Sequence, residues 1–238
     1  TSGGANELLI FRGNEVRTRI TIGHRPINLV RIGDRKLVAL SAHDATLTIA
    51  TLKTDPNNVD QGAYAQTSTL RLSARAAASP GEVAFYSAKL SHQSWLTCNS
   101  CHVDGHTPDI LADTFGDGGF GNAKRIPSLL GTGETAPYGW LGNKADLFEQ
   151  IDSTLTSTMH GPAASDAVGS ELVEFIGSLA SPGSARLPNR DHDVQAGSTL
   201  FTSLECVVCH TPPTYTSKHI RNVGVQDEEG NLEFNPPS

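Results

Sequence analysis

The sequence predicts a mainly α fold in which two helical units, the second incomplete, follow a small antiparallel β segment. Three observations predict it. Up to about residue 78, short runs rich in Val, Ile, Leu and Thr alternate with Gly, Asn and Asp, the pattern of strands joined by tight turns. From Ser79 onward helix formers take over, separated by loops rich in Gly and Pro. A Gly-x-x-x-Phe stretch followed by Cys-x-x-Cys-His then occurs twice. These mark a β segment over 1–78, a first helical unit over 79–185 and a partial second unit over 186–238.

Taken in order, the predicted strands are Glu7 to Phe11, Val16 to Ile22, Asn28 to Arg31, Leu37 to Ser41, Thr46 to Thr51 and Thr67 to Leu72. Arg12-Gly13-Asn14, Gly23-His24-Arg25-Pro26 and Ile32-Gly33-Asp34 supply the turns between them. The stretch from Arg17 to Pro26, with Leu37 to Leu40 and Thr46 to Thr51, resembles a blade of the YVTN-type β-propellers. One or two blades do not close a propeller. In the helical part, Gly81 and Phe85 stand four apart and so share a helical face, as do Gly197 and Phe201. Ala145 to Leu155 reads as helix, and Asp166 to Leu179 places Val168, Leu172, Phe175, Ile176 and Leu179 on one face until Ser181-Pro182-Gly183 stops it. Residues 184–190 read as a linker.

Composition narrows the function classes. Against 25 Asp+Glu the chain of 238 residues carries 18 Lys+Arg, a formal net charge of -7 without a basic run. That gives no electrostatic footprint for a phosphate backbone, so no nucleic-acid partner is expected. No apolar stretch approaches the roughly 20 residues of a membrane span. The two ends, Thr1-Ser-Gly-Gly and Asn235-Pro-Pro-Ser238, read as cuts from a longer parent chain.

All four cysteines fall in the two repeats, Cys98-Asn-Ser-Cys101-His102 and Cys206-Val-Val-Cys209-His210. Thiols three apart at a helix turn face one side, where they can form thioethers to the two vinyl groups of a haem, while the next imidazole reaches the iron. A Cys₄ zinc site would have to join pairs about 100 residues apart rather than the usual roughly 15 to 20, and would leave both histidines unexplained. A thioredoxin-like pair needs a βαβ context that is missing here. Structural disulfides across two such loops would do nothing. The reading is two c-type haems, attached through Cys98, Cys101, Cys206 and Cys209 and ligated by His102 and His210.

The segment Phe85-Tyr-Ser-Ala-Lys-Leu-Ser leading to Cys98, then Arg125-Ile-Pro-Ser-Leu-Leu130 and Trp140-Leu-Gly-Asn-Lys-Ala-Asp-Leu-Phe-Glu-Gln150, resembles the bacterial di-haem cytochrome c peroxidase and MauG family over residues 80 to 238. The resemblance implies two cytochrome c-like units, a peroxidatic first haem, an electron-donating second haem, and Trp140 as the relay between them. It implies a small redox protein, a cytochrome c or a cupredoxin, as partner, peroxide as co-substrate, and a homodimer or a second chain completing the second haem site; covalent haem attachment, which takes place outside the cytoplasm, points to a periplasmic or cell-surface location. The alternative is an electron-transfer cytochrome with no peroxidase activity.

The departures from the family pattern are specific. The family's distal Gly-His-Gly loop aligns with Gly116-Asp117-Gly118, and its acidic residue in a Glu-Met pair aligns with Thr158-Met159, whose hydroxyl is no general acid or base near neutral pH. Met159, His160 and His106 are the candidate replacements for the sixth ligand, beside Asp117 in the aligned position. The family's calcium-binding asparagine position holds Arg125, so calcium is implied by the resemblance but not by this residue. His219, nine residues past the second motif, stands near the second haem in this reading without being a ligand.

Overall fold

The structure, a computed structural model, describes residues 4–53, 64–72, 78–115, 118–183 and 190–236. Asp117 and the linker residues 184–189 lie outside the described residues. Among those described, 30% are helical and 24% strand, so by content the chain is mixed α and β. The long strands fall in one compact unit, residues Thr1–Cys98, and the longer helices in the other, residues Asn99–Ser238. The boundary lies inside the first cysteine motif, 20 residues beyond the change of composition at Ser79, because a helix and loop over 80–98 fold with the strands.

In the first unit β1 (Glu7–Arg12) and β2 (Glu15–Thr21) pair as a hairpin. Four further strands, β3 (Pro26–Ile32), β4 (Lys36–Ser41), β5 (Thr46–Lys53) and β6 (Tyr64–Arg71), form an antiparallel meander in sequence order. Alternation sets the two faces. Leu37 and Ala39 of β4 and Ala50 of β5 face the hairpin residues Leu8, Ile10, Ile20 and Ile22, which together make the core of this unit. The small side chains at 39 and 50 let the hairpin lie close on the sheet.

The short helix α1 (Pro80–Phe85) belongs to the same unit. Ser79 caps it, its hydroxyl accepting the Glu82 N–H at 3.1 Å, and proline sits at its start. Phe85 is fully buried. Glu82 faces His43, whose Nε2 lies 3.3 Å from its carboxylate. His43 is buried, stacks edge-on against Tyr86 with ring centroids 5.1 Å apart, and has no hydrogen-bond partner at either ring nitrogen.

The second unit is built around α3 (Leu147–Ser153), with the wide turn Thr154–Thr158 that continues it, and α4 (Asp166–Gly177). Asp146 caps α3 by accepting the Glu149 N–H at 2.9 Å, and Ser165 caps α4. Leu172 and Ile176 of α4 are buried, with Val168, Phe175 and Leu179 half-buried beside them, the face expected from periodicity. The two helices cross at Gly169, where a Cβ would collide with the Phe148 ring. Helix α5 (Asp191–Ser203) starts earlier than the Ala196 to Phe201 run, with Asp191 and Asp193 in its first turn, where carboxylates suit the dipole. It has no buried residue.

Two outcomes follow. Gly169→Val forces the Phe148 ring aside and lowers stability by roughly 1–3 kcal/mol, read by chemical denaturation. Burial lowers the His43 pKa more than Glu82 raises it, with Arg25 and His24 adding to the lowering and Asp44 opposing it. The unfolded chain then binds the proton more readily than the folded one. Stability is complete above about pH 6.5 and falls as the pH drops through that value; in His43→Gln, unfolding midpoints measured across pH 5 to 8, a range of about three units around that value, show a flatter dependence.

Candidate functional site

Both cysteine motifs lie in helical turns. The first lies in α2 (Cys98–Cys101), and the second in a tight turn over Cys206–Val208 where the Cys209 and His210 N–H groups return to the Cys206 carbonyl at 3.2 and 2.9 Å. All four cysteines are half-buried and none forms a disulfide. Burial pushes the Cys101 thiol up, the opposite of the lowered thiolate of a redox-active pair. Among the described residues no three His, Cys, Asp or Glu side chains converge on one point as a metal cluster would require, so the cysteine pairs do not meet in a Cys₄ arrangement.

The decisive geometry is at the histidines. His102 Nδ1 lies 2.9 Å from the Pro127 carbonyl oxygen, and His210 Nδ1 lies 2.9 Å from the Tyr215 carbonyl oxygen. A carbonyl only accepts, so in both rings Nδ1 carries a hydrogen, and in the neutral form of each Nε2 keeps the lone pair. Burial lowers the His102 pKa, outweighing the Pro127 bond, so the ring favours the neutral form that ligates.

The first imidazole is held by two antiparallel segments of the second unit. β7 (Leu111–Ala112) pairs with β8 (Lys124–Arg125), and the pairing runs on: Ile126 N–H to Ile110 O at 3.1 Å, Thr107 Oγ1 to Ile126 O at 2.5 Å, Leu129 N–H to Gly105 O at 2.9 Å. Pro127 has no N–H to give this ladder, and its carbonyl takes His102 instead. Leu179, just past α4, lies over Gly105, where a Cβ would come within 2.8 Å of it. The second imidazole is held more locally. Pro212 and Pro213 stiffen the loop to Tyr215, and Phe201 of α5 packs against both the Tyr215 and the His210 rings, at 5.9 and 6.5 Å.

The remaining sequence candidates are dispersed. His106 is exposed and its Nδ1 lies 2.7 Å from Ser128 Oγ, next to Pro127. Met159 is 1% exposed, directly after the wide turn, and His160 beside it is exposed with φ of 49°. Thr158 Oγ1 donates to the Thr114 carbonyl at 3.0 Å. Arg125 pairs with Asp109. His219 lines an open cavity of about 460 Å³ with Pro137, Gly142, Asn143, Lys218 and Ile220.

Trp140 is 41% exposed, with Lys124 Nζ 5.3 Å from its ring centroid and the Phe234 ring 5.4 Å away. Phe234 lies on β10 (Glu233–Phe234), which pairs with β9 (Arg221–Asn222). Sequence reasoning missed Pro127, Tyr215, Phe234 and Asn235. Main-chain carbonyls carry no residue signature, and Phe234 and Asn235 are far from Trp140 in sequence.

The residues present fit a c-type haem at each motif: paired half-buried thiols, an imidazole with Nε2 free to ligate, and large apolar side chains exposed beside them in sequence, Val103 and Leu111 at the first and Leu204 and Val208 at the second. No protein-family model matches the sequence, and no curated protein matches it. Among solved structures, the chain is similar to hydrazine synthase of Kuenenia stuttgartiensis pressurised with 20 bar xenon, at 21% identity and a TM-score of 0.54, over 63% of this chain and 55% of that one. The match thus spans about half the length of that neighbour, and at this identity it bears on the fold alone. No helix among the described residues is long and apolar enough to cross a membrane.

Proposed function

We propose that the chain is a di-haem c-type oxidoreductase, exported to the periplasm or cell surface where such haems are attached. In it a cytochrome c or cupredoxin feeds electrons to the haem at Cys206, Cys209 and His210, and the haem at Cys98, Cys101 and His102 reduces peroxide or uses it to oxidise a substrate. The observation that carries this reading is the pair of 2.9 Å bonds from Nδ1–H to a main-chain carbonyl. A ligating histidine needs such a partner to fix its tautomer and ring plane, and the two motifs share the device.

A bound c-type haem supplies one-electron chemistry at iron and, where a coordination position is open, a place for peroxide. The chain's own part is to hold the rings. The thiols anchor the macrocycle edge, the Pro127 and Tyr215 carbonyls aim the imidazoles, and the donated hydrogen bonds make those ligands more electron-rich. Lys124, on the strand that leads to Pro127, lies over the Trp140 ring and Phe234 packs beside it, which supports Trp140 as the relay. His106 and His102 are held by adjacent residues of one segment, Ser128 and Pro127. We take Met159, buried where His106 and His160 are exposed, as the sixth ligand to test first, with His106, His160 and Asp117 as the alternatives.

One observation favours the second reading, a pure electron carrier. The Thr158 hydroxyl, in the position of the family's acid, donates to the Thr114 carbonyl and is not placed to move a peroxide proton.

Mass spectrometry of protein matured with haem in a periplasm is expected to find two covalent haems per chain, and one after Cys98→Ala with Cys101→Ala. An unmodified chain that folds would overturn the proposal. Electron paramagnetic resonance of the oxidised protein separates the two readings: one high-spin and one low-spin ferric signal favours peroxide chemistry, and two low-spin signals favour electron transfer. Met159→Leu conserves core volume and costs under about 1.5 kcal/mol in stability; if Met159 ligates, the variant converts one low-spin signal to high-spin, and an unchanged spectrum removes it as ligand.

A further inference from the structure

We infer that Asn235 is a positioning residue for electron passage between the two sites, acting as the clamp that sets the place of Trp140; this rests on the di-haem reading above. Its side-chain amide donates to the carbonyls of Pro137 at 2.8 Å and Gly139 at 3.2 Å, and its main-chain N–H donates to the Trp140 carbonyl at 3.0 Å. One residue thus binds three carbonyls within four consecutive positions.

The segment it grips is anchored at its base by Tyr138, which is buried and whose hydroxyl donates to the Thr132 carbonyl at 3.1 Å. It turns at Gly139 and Gly142, with φ of 83° and 62°, conformations that residues with a Cβ rarely adopt, and it closes with a Gly142 N–H to Gly139 O bond at 3.1 Å. The Tyr138–Lys144 bridge ties its base. The indole itself is partly exposed, with the Phe234 ring and the Lys124 amine against it. Its position depends on this backbone, whose carbonyls at 137, 139 and 140 are held by Asn235.

Asn235 is also linked along the chain to the support of His210. Its neighbour Pro236 accepts the Thr216 hydroxyl at 2.7 Å, and Thr216 follows Tyr215, whose carbonyl holds His210. On the other side, Lys124 over the indole leads through β8 to Pro127, whose carbonyl holds His102. Trp140 is the group that both paths reach, and Asn235 is the hydrogen-bonded link between it and the His210 side. The Asn235 Oδ1 atom is buried without a hydrogen-bond partner.

Asn235→Asp changes one group of the side chain and replaces the two donors by a carboxylate facing two carbonyls, while Asn235→Leu removes the polar group. In the full-length protein carrying both haems, pulse radiolysis places one electron on the molecule and the optical spectra follow it from one haem to the other. The expected result is an interhaem rate lower by roughly tenfold or more in either variant, with the spectra and midpoint potentials of both haems unchanged. In a Trp140→Phe background, adding Asn235→Asp has little further effect, since both changes act through the same group. An unchanged rate, or the same fall with and without Trp140, overturns the clamp and leaves the di-haem reading standing. Failure to find any covalent haem in the unsubstituted protein overturns both.

Discussion

A neutral imidazole has one donor and one acceptor, and whichever atom bonds the protein decides which is offered outward. In this chain a main-chain carbonyl makes that choice twice, at Pro127 for His102 and at Tyr215 for His210. Each bond contributes only about 0.5–1.5 kcal/mol net, so its importance is directional rather than energetic. Much of the second unit serves to hold these two oxygens still. The pairing of 105–112 with 124–129 fixes the first, with Leu179 beyond α4 closing over Gly105. The proline pair and the Phe201 ring fix the second.

The first unit obeys a different constraint. A hairpin and a four-stranded meander share one small core, in which long side chains of the hairpin meet Ala39, Ala50 and Leu37 of the sheet. Four antiparallel strands in sequence order are the strand arrangement of a single propeller blade. Beside this core the polar residues are unusually enclosed: Ser41 and Thr46, opposed across the β4–β5 pair, keep buried hydroxyls without protein partners, and His43 is nearby with both ring nitrogens unbonded. Ser41, Thr46 and the Asp44 carboxylate crowd Gly23 so closely that a Cβ there would lie within 2.8 Å of all three side chains. The turn before β3 is packed too tightly to admit any larger residue.

What was legible in the sequence was local. Strands signalled by Val, Ile, Leu and Thr runs between turn residues, the helical stretches read within 145–155 and 166–179, and the buried face of α4 all depend on residues a few positions apart, whereas the caps Asp146 and Ser165 were not read from the sequence. The cysteine motif is local too, with its thiols and imidazole inside five residues. The supports of the site are not. His102 is aimed by a carbonyl 25 residues away, and Trp140 is gripped by a residue almost a hundred positions on. Carbonyls are common to every residue, so no composition or spacing points to the one that matters. The proline at 127 was the available signal, since a residue that cannot donate to a ladder leaves its neighbours' geometry free for another use.

The helix that leads to Met159 shows how backbone geometry bears on the chemistry open to the site. Ile151, Leu155 and Met159 are spaced by four and all are buried, although a helix of 3.6 residues per turn would carry such a series steadily around its axis. The wide turn at Thr154–Thr158 winds the chain more slowly, returning the Met159 N–H to the Thr154 carbonyl five residues back at 2.9 Å, and this offsets the drift. The thioether is thereby kept inside, and the hydroxyl of Thr158 is turned instead to the Thr114 carbonyl. The same turn that encloses Met159 therefore commits its neighbour Thr158 to a structural bond.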